Sequence, residues 1–227
     1  MVASVSNTKI FARSSLNGRQ FLVYSMSYEA ESDLAMILPL PTPTNVSEEA
    51  VRFLDMSAYA EFFTDLYKPF ITRSATFSLM VHDVGSFEAS FVPQKADFSR
   101  LDPRFQLDDT VWAKLPQYDD YGFAVFKLKP GAKAIHPLAL EFPRRHTRQL
   151  FFPTIHVHHG RVDPFAEFHH LLYCQSQTPF VAWRDSDLDA GQYIDIDRAA
   201  GIVAPELKIQ MWSLFGIYEN KDIVLQE

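Results

Sequence analysis

Residues 150–174 read LFFPTIHVHHGRVDPFAEFHHLLYC and predict two β-strands joined by a turn. The two predicted strands cover residues 150–158 and 165–174, and Gly160 and Pro164 between them are typical of a turn. The stretch contains five of the eight histidines of the chain, namely His156, His158, His159, His169 and His170. A chemical site, if the chain has one, is expected in this predicted hairpin.

The first predicted strand of this hairpin brings two histidines to one face. Side chains alternate along a strand, so His156 and His158 lie on the same side, with Cα atoms roughly 6.5 to 7 Å apart. Imidazoles at this spacing can bind a single ion, and the pair predicts the first half of a zinc, iron, manganese or copper site. His159, in the turn, is expected to point elsewhere.

The second predicted strand leaves the third ligand open. Alternation places Glu167 and His169 on one face and His170 on the other. The strand register decides which histidine joins the first pair, and the sequence does not determine it. Glu167, or His136 from the next strand upstream, is an alternative. The candidate metal ligands are therefore His156, His158, His169 and His170.

Structural histidines are the competing interpretation. Histidines occur on half-exposed strands, where backbone carbonyls or water satisfy their ring nitrogens. The five histidines lack the tight spacing of a zinc finger or of HExxH. A divalent transition metal (zinc, iron or manganese) is the one cofactor that the sequence suggests.

Short β-prone runs dominate the remaining sequence. They predict an α+β, β-rich fold, mainly antiparallel sandwich or barrel-like sheets with one good helix and short helical insertions. Asn17-Gly18, between β-prone residues 8–12 and 20–24, is the pair that a type I′ hairpin turn prefers. Further strands are expected at residues 34–38, 75–81, 86–92, 122–127, 135–142, 180–183, 193–196, 207–215 and 223–225.

The predicted helix covers residues 57–68. Ser57 is its expected N-cap, and Pro69 ends it. One face of this helix has an aromatic and aliphatic stripe at helical spacing, made of Tyr59, Phe62, Phe63 and Leu66. Such a stripe predicts packing against the protein core.

Composition limits the classes of partner. The chain has 227 residues, 47% of them hydrophobic, which suits a packed single domain over residues 1–227. The formal net charge of −7 disfavours nucleic acid and anionic membranes. The single cysteine, Cys174, excludes an intramolecular disulfide. Without a signal-peptide pattern or a long apolar run, the expected location is cytoplasmic.

Four smaller motifs have weaker interpretations. Alternating aspartates from Asp185 to Asp197 are similar to half of a calcium loop, although a solvated acidic turn is favoured. Cys174 is a possible nucleophile but is expected to be a buried thiol. His82-Asp83 is a possible base with its orienting carboxylate. Arg144-Arg145 is a possible anion site, with a solvated loop as the favoured alternative.

Two segments resemble those of an uncharacterised bacterial domain family. They are DLAMILPLP at residues 33–41, and LFFPTIHVHHG at residues 150–160 together with LYCQ at residues 172–175. The resemblance extends over most of the chain and implies a single natural domain. It implies no activity and no functional residue.

Two functions from different classes follow. The favoured one is a soluble β-rich binding or assembly domain, with a possible histidine metal site, that recognises a protein partner or another copy of itself. The alternative is a metal-dependent enzyme that acts on a small molecule through the His-x-His centre. The binding function is favoured because hydrolase, NTPase and dinucleotide motifs are missing from the sequence.

Overall fold

The computed structural model describes residues 2–31, 33–71, 88–134, 136–157 and 160–227. The strands of these residues are β1 (Val2–Ser15), β2 (Arg19–Ala30), β3 (Leu34–Leu40), β4 (Arg52–Leu54), β5 (Glu88–Val92), β6 (Gly122–Leu128), β7 (Gly131–Ala134), β8 (Leu138–Pro143), β9 (Gln149–Phe152), β10 (Phe165–Gln175), β11 (Arg184–Asp189), β12 (Lys208–Glu219) and β13 (Ile223–Gln226). The α-helices are α1 (Phe62–Tyr67) and α2 (Asp109–Trp112). Short 3-10 helices cover Leu16–Gly18, Glu48–Ala50, Lys68–Phe70, Lys95–Arg100, Pro103–Phe105, Pro116–Tyr118 and Ala190–Gln192.

The main sheet has the strand order β11-β12-β10-β1-β2-β8-β4, and β7 also pairs with β2. Its pairs are antiparallel apart from β1 with β10, which run parallel. A second, antiparallel sheet has the order β3-β6-β5, and β9 pairs with β13 in a small third sheet. The predicted α+β, β-rich fold with mainly antiparallel sheets is confirmed.

The β1–β2 hairpin turns where Asn17-Gly18 predicts it. Both residues have positive φ, 57° for Asn17 and 70° for Gly18, as the inner residues of a type I′ turn require. A Cβ atom on Gly18 would lie 2.9 Å from Cγ2 of Thr147. Glycine is therefore favoured over other residues at position 18, because φ is positive there and because Thr147 leaves no space for a Cβ atom.

Apolar side chains fill the space between the main sheet and the second sheet. Leu22 and Leu140 of the main sheet belong to the same buried cluster as Leu38 and Phe126 of the second. A further cluster, around Trp112, covers the other face of the second sheet. The second sheet therefore packs face to face on the main sheet, and the short helix α2 covers its outer face.

Helix α1 covers the opposite face of the main sheet. Phe62 lies edge-on to Phe11 of β1, with ring centroids 5.7 Å apart, and Phe63 packs on Tyr173 of β10. Tyr59, Phe62, Phe63 and Leu66 are all buried, as their spacing predicts. The burial of each such side chain stabilises the fold by about 1.5–3 kcal/mol.

The helix is shorter than residues 57–68. It begins at Phe62, and its N-cap residue is Glu61, which makes no capping hydrogen bond through its side chain. Ser57 donates its backbone N–H to Oδ1 of Asp55 at 2.8 Å, in a turn before the helix. The predicted cap at Ser57 is therefore wrong, because Asp55 closes a local turn there.

Several predicted strands need correction. The strand expected over residues 150–158 ends at Phe152, because Pro153 has no N–H for a ladder. Residues 180–183 and 193–196 form turns, and β11 begins directly after the first of these segments. The strand expected at residues 75–81 lies outside the described residues. No helix in the described part of the chain is long and apolar enough to cross a bilayer.

Candidate functional site

The two histidine segments meet where β10 separates from β1. The parallel β1–β10 pairing runs from Thr8–His170 to Arg13–Gln175. Upstream of His170, β10 continues along β12 as far as Phe165–Glu219. We call the place where β10 leaves β1, beside His170, the histidine fork. The segment at residues 153–157 lies there and brings His156 next to His170.

The turn between β12 and β13 positions the segment at residues 153–157. Thr154 and Ile155 donate their backbone N–H groups to Oδ1 of Asp222, at 2.8 and 3.0 Å. His156 donates its N–H to Oδ1 of Asn220 at 2.7 Å, and Nδ2 of Asn220 donates to the carbonyl oxygen of His156 at 2.9 Å. These two side chains thus satisfy backbone groups that a neighbouring strand would otherwise pair.

The carboxylate of Asp222 is a structural acceptor. Tyr118 donates its hydroxyl to Oδ2 of Asp222, while Oδ1 accepts the two backbone N–H groups. Burial raises the pKa of Asp222 to about 6, although these hydrogen bonds favour the charged form. Burial, together with the charge of Asp222, also raises the pKa of Tyr118. Asp222 is therefore ionised at neutral pH and bound by three donors.

His156 and His170 face each other across the fork. Their Nε2 atoms are 3.4 Å apart, and their ring centroids are 5.1 Å apart with planes at 28°. His156 also stacks on Phe168, with centroids at 4.6 Å. His170 is 3% exposed, and burial, followed by the neighbouring histidine charges, lowers its pKa to about 3. The imidazole of His170 is therefore neutral at physiological pH.

Strand alternation separates His169 from His170. His169 is on the other face of β10, where its Nε2 lies 3.2 Å from Oε1 of Glu167 and its ring contacts Phe215. Both side chains of this pair are mostly exposed, at 61% and 70%. The structure thus brings His170, rather than His169 or Glu167, beside His156.

The other candidate ligands are not brought to this pair. His158 and His159 lie outside the described residues. His136 is buried just before β8, where its Nδ1 lies 3.1 Å from the carbonyl oxygen of Pro137. Since β8 is three strands from β10 in the main sheet, the separation is roughly 14 Å. Among the described residues, no group of three His, Cys, Asp or Glu side chains is close enough to bind a metal.

The predicted hairpin pairing is wrong. β9 pairs with β13, and β10 pairs with β1 and β12, so the two halves of residues 150–174 are not ladder partners. His156 reaches His170 from a non-strand segment instead. The separation of the two Nε2 atoms matches roughly the 3.4 Å between two nitrogens on a tetrahedral zinc ion. The metal site itself stays a prediction.

A cleft with a volume of about 210 Å³ runs around β3, the edge strand of the second sheet, and reaches the histidine pair. Its wall is mainly apolar, with methionine and aromatic side chains from β2, β3, β6 and α2. Met26 and Met36 line the cleft between the two sheets, whereas Trp112 and Phe123 line it on the opposite face of the second sheet. The Nδ1 atom of His170 is buried and has no hydrogen-bond partner among the described residues.

The smaller motifs of the sequence have structural explanations. Cys174 is fully buried, and burial raises the pKa of its thiol well above the usual value. Arg144 pairs with Glu227 at 2.6 Å, and Arg145 pairs with Asp120 at 2.7 Å. These arginines are thus engaged within the protein. His82-Asp83 lies outside the described residues.

The aspartates considered for calcium belong partly to a strand. Asp185 and Asp189 are residues of β11 and pair with Gln210 and Lys208 of β12. An extended strand separates such side chains, whereas a calcium loop folds them around one ion. Asp185, Asp187 and Asp189 therefore lie on the edge strand of the main sheet.

An exposed apolar strip lies beside the histidine fork and was not predicted from the sequence. Phe165 of β10 and Phe215 and Ile217 of β12 share one face of the main sheet, and are 64%, 52% and 76% exposed. Glu167 and His169 of β10 lie on the same face, opposite Ile217 and Phe215. We call the three apolar residues the β10–β12 strip. The alternation in Phe215-Gly216-Ile217 is its only local signal, and it does not reveal which face is uncovered.

No family model and no curated protein sequence matches the chain. Its fold is similar to the crystal structure of baculovirus P35, with a TM-score of 0.55 and 12% identity, over 99% of this chain and 97% of that one. A mutated baculovirus P35 after caspase cleavage gives a TM-score of 0.51 and 13% identity, over 97% and 99%. The caspase-8/P35 complex gives a TM-score of 0.50 and 12% identity, over 97% and 96%. At such identities the likeness shows the fold alone.

Proposed function

We propose that this chain is a protein-binding domain whose partner is a protease of the caspase type. The observation that supports the proposal is the likeness to baculovirus P35, which extends over 99% of this chain and 97% of P35. P35 has been solved in a complex with caspase-8, and a mutated P35 has been solved after caspase cleavage. Because a fold by itself does not imply a function, the proposal needs a direct test.

The exposed surface is compatible with a protein partner. The β10–β12 strip presents two phenylalanines and an isoleucine to solvent on one face of the main sheet. Exposed apolar patches of this kind are typical of interaction sites, and aromatic residues are enriched there. The net charge of −7 favours a protein partner over nucleic acid.

The test is a titration of purified chain against caspase-8 and a panel of other caspases. We expect loss of peptidase activity on a fluorogenic peptide at near-equimolar ratio, and co-elution of the two proteins in gel filtration. Intact-mass spectrometry of the mixture identifies any cleavage of the chain. A serine protease with its own peptide substrate serves as the specificity control. Full activity, separate elution and an uncut chain with every caspase tested would contradict the proposal.

The histidine pair supports a second candidate function, a metal-dependent centre acting on a small molecule. The specific observation is the separation of 3.4 Å between Nε2 of His156 and Nε2 of His170. Elemental analysis of protein purified without an affinity tag tests it. About one equivalent of zinc, iron or manganese, lost in His156→Ala and retained in His146→Ala, is the expected result. Metal content well below one equivalent would rule the centre out.

A further inference from the structure

We propose that the free edge of β3 binds an extended, uncharged, apolar peptide segment of another protein, which adds to the second sheet as a further strand. This site differs from the β10–β12 strip, and the inference does not depend on a caspase-type partner. Three observations support it: the edge is unpaired, it lacks the protection of the other sheet edges, and the cleft around it has two apolar walls.

One edge of β3 is unpaired in the described part of the chain. All seven residues of Leu34–Leu40 pair with β6, so their ladder uses one edge only. Residues 34–39 all line the cleft. Because side chains alternate between the two faces of a strand, six consecutive residues line the same cleft only where it runs around the edge of the strand. The backbone groups of the unpaired edge therefore face the cleft.

β3 has little of the protection that keeps sheet edges from pairing. Edge strands are usually very short, charged, bulged or interrupted by proline. At the edges of the main sheet, β4 has only three residues, and the sequence of β11, RDSDLD, is mostly charged. β5 of the second sheet begins with Glu88, and its first three residues are exposed. β3 reads LAMILPL without a charge, and Pro39 near its end is its one protective residue.

The cleft offers an apolar wall to each face of an added strand. Met26 and Met36 form the wall between the two sheets, and Trp112 and Phe123 form the wall on the outer face of the second sheet. A strand beside β3 directs alternate side chains toward these two walls. A peptide with apolar residues on both faces is therefore favoured, because an amphipathic strand would desolvate its polar side chains against one wall.

The charges along the cleft favour an uncharged segment. The described lining contains no lysine or arginine, and its one carboxylate belongs to Glu167, which is 70% exposed and lies 3.2 Å from Nε2 of His169. A charged side chain directed at either wall would lose its hydration without a partner of opposite sign. The edge of β3 supplies the main-chain hydrogen bonds that give affinity, and the walls select apolar side chains.

The first test uses the wild-type protein and an uncharged hexapeptide, VTVFVT, with acetylated and amidated ends. Six residues match the length of β3 along the cleft, roughly 20 Å. The probe is N-methylated at its second and fourth residues, which blocks one of its edges and prevents self-association. The control peptide is methylated at its second to fifth residues, so that both edges are blocked. We expect the control to bind at least tenfold more weakly, because it lacks the N–H donors.

Amide hydrogen exchange followed by NMR shows where the probe binds. At a free concentration ten times the Kd, exchange should slow about tenfold at alternate amides of residues 34–38, which are those not bonded to β6. Unchanged exchange along β3 at millimolar probe, or equal affinities of the two peptides, would overturn the proposal. Protection that rises with protein concentration in the absence of peptide would identify a second copy of the chain as the occupant, and would also overturn it.

The second test uses variants. Ile37 packs on the outer face of the second sheet and is half-buried, so Ile37→Asp places a carboxylate in the outer wall. We expect at least a tenfold loss of probe affinity. Leu16→Asp, in the exposed β1–β2 turn, should bind the probe as the wild type does. Circular dichroism establishes that each variant is folded. Unchanged affinity in folded Ile37→Asp would overturn the assignment, and if this variant does not fold, the exchange pattern of wild-type β3 decides the question.

Discussion

Nε2 of His156 lies 3.4 Å from Nε2 of His170, although the two residues are not partners on paired strands. The contact depends on Asp222 and Asn220, whose side chains bind the backbone of residues 154–156. The turn between β12 and β13 therefore determines where His156 is placed.

Replacement of Asp222 by alanine should destabilise the fold. The change leaves the N–H groups of Thr154 and Ile155 and the hydroxyl of Tyr118 without their acceptor. At about 1 kcal/mol for each hydrogen bond, we expect a loss of about 3 kcal/mol in the free energy of unfolding. Urea denaturation measures it. Asp187→Ala, at an exposed residue of β11, should change stability by less than about 0.5 kcal/mol. Equal effects of both variants would contradict the anchoring role.

The raised pKa of Asp222 predicts a pH dependence of stability. The unfolded carboxyl titrates near 3.8 and the folded one near 6, so the folded state binds more protons between these values. Stability attributable to this group should therefore fall as the pH rises from about 4 to about 6, by at most about 1.4 kcal/mol per pH unit, and level off above pH 6. Asp222→Asn does not titrate and should lack this component. Parallel stability profiles of wild type and variant across this range would contradict the prediction.

A charge in the β10–β12 strip should weaken binding of the protease partner. Ile217→Asp places a carboxylate among Phe165 and Phe215, where a docked partner would have to desolvate it. We expect at least a tenfold loss of affinity for caspase-8 by surface plasmon resonance. Leu16→Asp makes the same kind of change at a residue that is 83% exposed in the β1–β2 turn, far along the sheet, and should bind as the wild type. Equal affinities of the two variants would show that the strip is not the contact surface.

Replacement of Gly18 by alanine should destabilise the β1–β2 hairpin. The residue has φ of +70°, and the added Cβ atom would lie 2.9 Å from Cγ2 of Thr147. Strain in this backbone region and the contact together should cost about 1–3 kcal/mol. Thermal unfolding measures the change. Adding Thr147→Ser removes Cγ2 and should restore part of the loss. No recovery in the double variant would show that backbone strain alone is responsible.

Local patterns predicted a substantial part of the fold. The turn at Asn17-Gly18 follows from two residues that tolerate positive φ, and the buried stripe of α1 follows from helical spacing. The start of α1 was not predictable in this way, because Asp55 competes for the backbone N–H of Ser57. The predicted strand beyond Phe152 failed for a similar reason: its backbone partners, Asp222 and Asn220, are side chains distant in sequence.

The histidine site, too, was predictable from local sequence only in part. Alternation along β10 alone separates His169 from His170, because neighbouring side chains on a strand point to opposite faces. Alternation does not reveal the ladder partners of β10, because β1 pairs with it in parallel although Thr8 and its partner His170 are far apart in sequence. Such pairing depends on the burial of whole sheet faces, which no local stretch encodes.

The sequence by itself therefore determined a β-rich chain, its first hairpin, its main helical stripe and the face on which each histidine of β10 lies. These features depend on backbone preferences and side-chain periodicity within a few residues. Only the tertiary structure decided that His156 meets His170, that Asp222 positions this contact, and that a cleft lies beside it. Those features depend on segments that are far apart in sequence and come together when the two sheets pack.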